Sequence, residues 1–198
     1  MKLKHIAGVF IALLLAKFLW PLFRFDIPMG YDPGIYRYLF IQYEQALTTF
    51  SLPELLPWAG EHPPGLFLVG AVLMKLGASV DSLLGIFWNL TPIALAGVLA
   101  WVTGKRLGVK TGVLVLLVAV LSQAYFDGFY AMYFKAYIAL LFVCLTYFFV
   151  DKFSPWFLLT ALLTVVIHHQ TGMVMAIALG VWWIAKFPSQ RNCKAYQL

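Results

Sequence analysis

Charge is scarce in this chain, and acid is the scarcer sign. The 198 residues carry eight Asp and Glu against fourteen Lys and Arg, and charged residues make up 11% of the whole. So little charge leaves a folded domain without the polar surface that water requires. Cysteine is scarcer still. Cys144 sits within an apolar run and Cys193 in the tail, too few and too differently placed to suggest a disulfide framework. Short alternating segments are missing, which excludes an outer-membrane barrel. No Walker loop, dinucleotide-binding glycine motif or zinc-protease helix is present, so a nucleotide sugar is not expected as a direct donor. The formal net charge of +6 is no nucleic-acid signature, because the basic residues gather at the ends of apolar runs, where membrane topology accounts for them.

What is abundant is apolar surface. Hydrophobic residues reach 63% and mean hydropathy is +0.87, more than a soluble domain of this length can hide. Apolar runs separated by Pro, Gly and short charged clusters predict an all-α polytopic membrane protein. Lys2 and Lys4 precede the apolar stretch 5–23. No small-residue cleavage site follows, so the stretch reads as a signal anchor with a cytoplasmic N-terminus. Further runs lie near 64–78, 82–103, 111–126, 129–150, 155–170 and 171–187. Basic clusters follow them: Lys105, Arg106 and Lys110, then Lys152, then Lys186, Arg191 and Lys194. All three fall inside only if 64–78 lies on the outer surface, and that run is also short for a span. The expectation is therefore one module over 1–198. It has six transmembrane helices, two interfacial helices in a long outer loop at 24–81, and a cytoplasmic tail at 188–198. Asp26, Asp32, Glu44, Glu54, Glu61, Asp81 and Asp127 then lie outside. Both termini are cytoplasmic, in the plasma membrane or, in a eukaryote, the membrane of the endoplasmic reticulum.

The outer loop is too long for a connector. GYDPGIYRY places Asp32 before Pro33, a plausible helix start, although Asp-Pro-Gly also suits a simple turn. Tyr36, Tyr38, Phe40 and Tyr43 suit a helix lying at headgroup level. SLPELLPWAGEHPP is a proline-punctuated crossing to the second interfacial helix. AYFDGFY follows the third span, with Asp127 in a short outer turn, and HHQTG joins the fifth span to the sixth.

Taken in order, GYDPGIYRY, EHPPGLF, AYFDGFY and HHQTG make the chain resemble the C-type membrane glycosyltransferases. These include protein mannosyltransferases, aminoarabinose transferases and oligosaccharyltransferases. The resemblance covers essentially the whole chain, by pattern and order, and implies transfer of a sugar from a polyprenyl-phosphate donor outside the cytoplasm. Family members are usually longer, so it implies an N-terminal or minimal module that a second chain could complete. Membrane lipids and the lipid-linked sugar are the implied partners, and nucleic acid is not. Family members often pair two acids at the first motif. Here Tyr31 and Pro33 flank Asp32, so a base is expected there rather than an acid-pair metal site.

Such a transfer needs a base near the nucleophile and donors for the departing phosphate. Asp32 is the candidate base. Lys135, expected about two turns below the outer edge of the fourth span, is a candidate phosphate ligand or a snorkelling anchor. His168 and His169 are expected to close the fifth span, with Gln170 next. Adjacent imidazoles diverge on a helix, so one faces the site while the other packs or anchors. Tyr31, Arg37, Glu61, His62 and Asp127 complete the substrate and phosphate candidates, each against a plainer role as turn, cap or headgroup contact. Asp32, Glu61 and His62 are ligand types that suit Mg or Mn, with no spacing that requires a metal. Asn89 and Pro92 are expected to kink or tie the second span. The competing class is a non-catalytic integral membrane protein, such as a transporter subunit or scaffold. Polar groups near the bilayer midplane and internal repeats would mark a transporter, and neither is evident.

Overall fold

The computed structural model describes residues 3–25, 33–131, 134–152 and 154–195, with backbone alone at 152 and 187–195. Every regular element among them is helical. Helix α1 is Leu3–Arg24, α2 Pro33–Thr49 and α3 Gly65–Lys75. Helix α4 is Val80–Leu107, with a π turn at Leu83–Phe87. Then come α5 Val109–Leu121, α6 Gln123–Tyr130, α7 Phe134–Phe149, α8 Pro155–Ile167 and α9 His169–Ala195.

Among the described residues, α1 and α4 are each long and apolar enough to cross a membrane. Helices α5 and α6 would make a third crossing if the pair, bent by 63°, is one span. Helix α3 has eleven residues. By helical rise that is about 16 Å, half the thickness of a bilayer core.

Arg106 near the end of α4, Asp151 after α7 and Lys186 in α9 meet at one end of the bundle. His62, Lys135 and the break between α8 and α9 lie at the other. We call these the basic end and the histidine end.

Local chemistry sets the breaks. Gly108, between α4 and α5, has φ +100°, a conformation that L side chains rarely adopt. Close packing follows, since a Cβ at Gly112 would lie 2.5 Å from the Ala100 carbonyl oxygen. Small residues at such a contact let two membrane helices approach. Ser122 is extended between α5 and α6, and its hydroxyl accepts a 3.0 Å hydrogen bond from the Tyr125 N–H. That is an N-cap. The expected run 111–126 is therefore two helices, and the run expected from 129 begins at Phe134.

The core corrects the expected role of the aromatic face of α2. Tyr36, Phe40 and Tyr43 are buried, Tyr36 to 1% exposure, and so face protein rather than an open surface. They recur at helical spacing and pack on Phe67 of α3, with Tyr36 and Phe40 also meeting Trp88 of α4. Tyr38 alone of the four keeps to the rim, donating a 3.4 Å hydrogen bond to the Glu54 carbonyl.

Candidate functional site

His62 is placed by its loop. A single 3-10 turn at Pro57–Ala59 ends with the His62 N–H donating to the Ala59 carbonyl at 3.2 Å. Pro63 and Pro64 then restrict the backbone into α3. Gly65 opens that helix hard against the end of α8: a Cβ there would lie 2.5 Å from the Val166 carbonyl oxygen. Only a residue without a side chain allows this approach, and it brings the His62 loop beside the α8–α9 break. Between them lies a cavity of about 360 Å³, lined by Glu61, His62, Val166 and His169 among others.

Lys135 comes from the opposite side. Phe134 is buried between Trp88 and Tyr36, with ring centroids 4.7 and 5.7 Å away, and fixes the start of α7. Lys135 is thus in the first turn of α7, not two turns down as expected. Its Nζ lies 2.7 Å from His62 Nδ1 and 5.7 Å from the centroid of the Tyr36 ring. An ammonium has no acceptor to offer, so charged Lys135 requires a lone pair on Nδ1 and places the proton of neutral His62 on Nε2.

His168 closes α8 as expected, its N–H donating to the Thr164 carbonyl at 3.0 Å, whereas His169 belongs to the next helix. His168 is extended, at φ −149°, and its carbonyl accepts the first hydrogen bond of α9 from the Gly172 N–H at 3.0 Å. Its Nδ1 lies 2.7 Å from Thr171 Oγ1. His168 therefore caps α9, while His169 begins it and Gln170 is exposed on the first turn. Burial holds the His168 pKa below the ordinary value of 6.5, and the charges of Lys135 and His169 push it the same way.

Lys135 thus links two of the other candidates, touching His62 and acting on His168 through its charge, with Glu61 and His169 on the cavity that His62 lines. The others are elsewhere or outside. Arg37 pairs with Asp81 at the start of α4, an exposed ion pair of small energetic worth. Asp127 is not in a turn but within α6, where its carboxylate accepts from Gln123 Nε2 at 2.7 Å. Tyr31 and Asp32 lie outside the described residues.

Among the described residues, no group of three His, Cys, Asp or Glu side chains stands close enough to hold a metal ion. An ammonium 2.7 Å from His62 Nδ1 is also a poor neighbour for a divalent cation at that nitrogen. The cluster suits the opposite sign. One fixed cation and two imidazoles, at the mouth of an apolar bundle, are donors for a phosphate.

Two residues at this end escaped the sequence reading. Lys17 in α1 donates to the carbonyls of Val120 and Ser122 at 2.9 and 2.8 Å. A lysine inside the first apolar stretch was its visible signal. Trp88 is 6% exposed, and its Nε1–H is buried with no hydrogen-bond partner among the described residues. Nothing in the sequence distinguishes it from the six other tryptophans. As expected, Asn89 ties the bundle: its Oδ1 accepts from Tyr130 at 2.7 Å, and its Nδ2 donates to the Gly85 carbonyl at 2.8 Å.

Comparison with protein-family models, curated proteins and solved structures finds no match to the chain.

Proposed function

We propose that the chain is a membrane glycosyltransferase of the C type, or the N-terminal part of one, that uses a polyprenyl-phosphate-linked sugar. The observation that carries this reading is the Lys135–His62 contact with His168 beside it, at one mouth of the bundle and under α2 and α3. A phosphate at a membrane surface is the ligand that such donors serve best. In this reading α1, α4, α5, α7, α8 and α9 cross the membrane, and α2 and α3 lie at the surface. The histidine end faces out of the cytoplasm, in the plasma membrane or endoplasmic reticulum membrane, and both termini face in.

Asp32 takes the proton of the acceptor. The acceptor oxygen or nitrogen forms the bond to the anomeric carbon as the bond from that carbon to the phosphate oxygen breaks. Polyprenyl phosphate leaves with the electron pair, and Lys135 and His168 stabilise its charge.

The test is consumption of a radiolabelled polyprenyl-phosphate hexose by membranes containing the full chain, with any partner chain it requires. The expected result is wild-type turnover that falls on the order of a hundredfold or more in Asp32→Asn and in Lys135→Met. Full turnover by Asp32→Asn removes that residue as the base. A wild type that consumes no lipid-linked sugar favours the non-catalytic reading.

A further inference from the structure

At the basic end, away from His62, His168 and His169, α1, α4 and α5 enclose an apolar cleft of about 320 Å³. Ala7, Ile11, Gly97, Trp101 and Gly112 are among its walls, and Lys105 stands on it as the charged group. The cleft exists because glycines remove the side chains that would fill it. A Cβ added at Gly97 would meet no atom within 4 Å.

The charges around the mouth are one-sided. Lys4 lies one turn before Ala7, on the stripe that continues to Ile11. Lys4, Lys105 and Lys110 have no acidic partner among the described residues. The acid described at this end, Asp151, is taken up by Arg106 at 2.8 Å and Lys186 at 3.0 Å. The flanks are greasy: Val109 is 60% and Trp101 45% exposed. An apolar slot that opens sideways, with unpaired ammonium groups at its membrane-edge mouth, matches a molecule with a long tail and a single negative headgroup.

We infer that this cleft holds an anionic phospholipid, one acyl chain lying between α1, α4 and α5 and its phosphate at Lys105 and Lys4. The inference is independent of the sugar-transfer reading, since it uses none of the same residues and concerns the opposite end of the bundle.

Native mass spectrometry of the purified full chain tests it, with phosphatidylglycerol and phosphatidylcholine offered in equal amounts. The expected result is retention of one phosphatidylglycerol per chain in preference to phosphatidylcholine. Each of Lys105→Gln and Lys4→Gln should reduce that preference about fivefold, the effect of one cation near an anionic surface. Gly97→Leu keeps every charge and fills the slot, so it should lower retention of both lipids. The substitution adds a better helix former than glycine at a position where a Cβ meets no atom within 4 Å. Gly180→Leu, on α9 and also facing open space, should change nothing. Equal retention of the two lipids overturns the inference, as does unchanged retention in Gly97→Leu. A dimer mass that Gly97→Leu abolishes, without lipid preference, also overturns it and assigns the cleft to a second copy of the chain.

Discussion

His168 sits where two demands conflict. It caps α9, and it lies within the field of Lys135. Burial and that field both favour the neutral ring, so its folded pKa is below 6.5. The unfolded chain then holds the proton more tightly than the folded one. Stability rises with pH through the window from the folded pKa to 6.5 and falls as acid charges the ring. An arriving phosphate would reverse the balance, because an anion beside the ring favours the imidazolium. Replacing Lys135 by Met removes one of the three causes of the shift. The His168 pKa, followed by nitrogen-detected NMR of the ring, should move up toward 6.5 in Lys135→Met, and acid should destabilise the variant less. A His168 titration identical in both proteins would show that the two side chains do not communicate. Lys135→Arg should not restore wild-type behaviour, since a planar guanidinium cannot place a single point charge at His62 Nδ1 in the same way.

Helix α6 shows what a break accomplishes. The chain bends by 63° at Ser122, and α6 then leaves the axis of α5. From this position Tyr125 donates to the Pro92 carbonyl at 2.6 Å, and Tyr130 reaches Asn89. Two residues hold the bend: Ser122 caps α6, and Lys17 donates to the carbonyls of Val120 in α5 and of Ser122 itself. Ser122→Ala should cost about 1 kcal/mol of stability as a lost cap. Lys17→Met, which leaves two carbonyls without their donor in an apolar setting, should cost about 1–3 kcal/mol. Because both act on one break, the double variant should lose less than the sum. Thermal unfolding in detergent, read by a thiol dye at the half-buried Cys144, measures all three. Strict additivity would mean that the two residues hold separate features. The bend also marks how far the sequence could be read. Apolar runs announced most helices, and the run at 64–78 contains α3, Gly65–Lys75, with one residue to spare at its start and three at its end. The run through 111–126 hid its break, because lipid-facing and core-facing residues are alike in hydropathy. Ser122, three residues before Tyr125, was the one local cue. The site was legible as residue types, Lys135, His62 and the paired histidines. Their meeting was not, since it depends on Gly65 against Val166, a contact a hundred residues apart in sequence.

At the scale of the whole molecule, the two ends differ in chemistry. One end gathers Arg106, Asp151 and Lys186, and Arg106 also donates to the Tyr147 carbonyl at 2.9 Å at the end of α7. Hydrogen bonds from Lys186 and Arg106 hold the Asp151 carboxyl below its ordinary value of 3.8. Its contribution is present above 3.8 and lost as acid takes pH through the lowered value. The network is half-exposed and contributes little energy, so its importance is positional. It shows that α4, α7 and α9 bring their basic ends together, so the helices between them must return. The histidine end is built from the loops that make those returns. If the bundle crosses a membrane, positive charge should remain in the cytoplasm and the histidines should face the other side. Leu52, 88% exposed in the crossing between α2 and α3, and Leu107, 72% exposed at the end of α4, report the two ends. With Cys144 and Cys193 replaced by Ser, Leu52→Cys should react with an impermeant maleimide on intact cells. Leu107→Cys should react only after permeabilisation. The reverse pattern inverts the orientation and moves the phosphate site to the cytoplasm. Labelling of both from one side breaks the alternation itself, because the ends joined by α4 would then share a compartment.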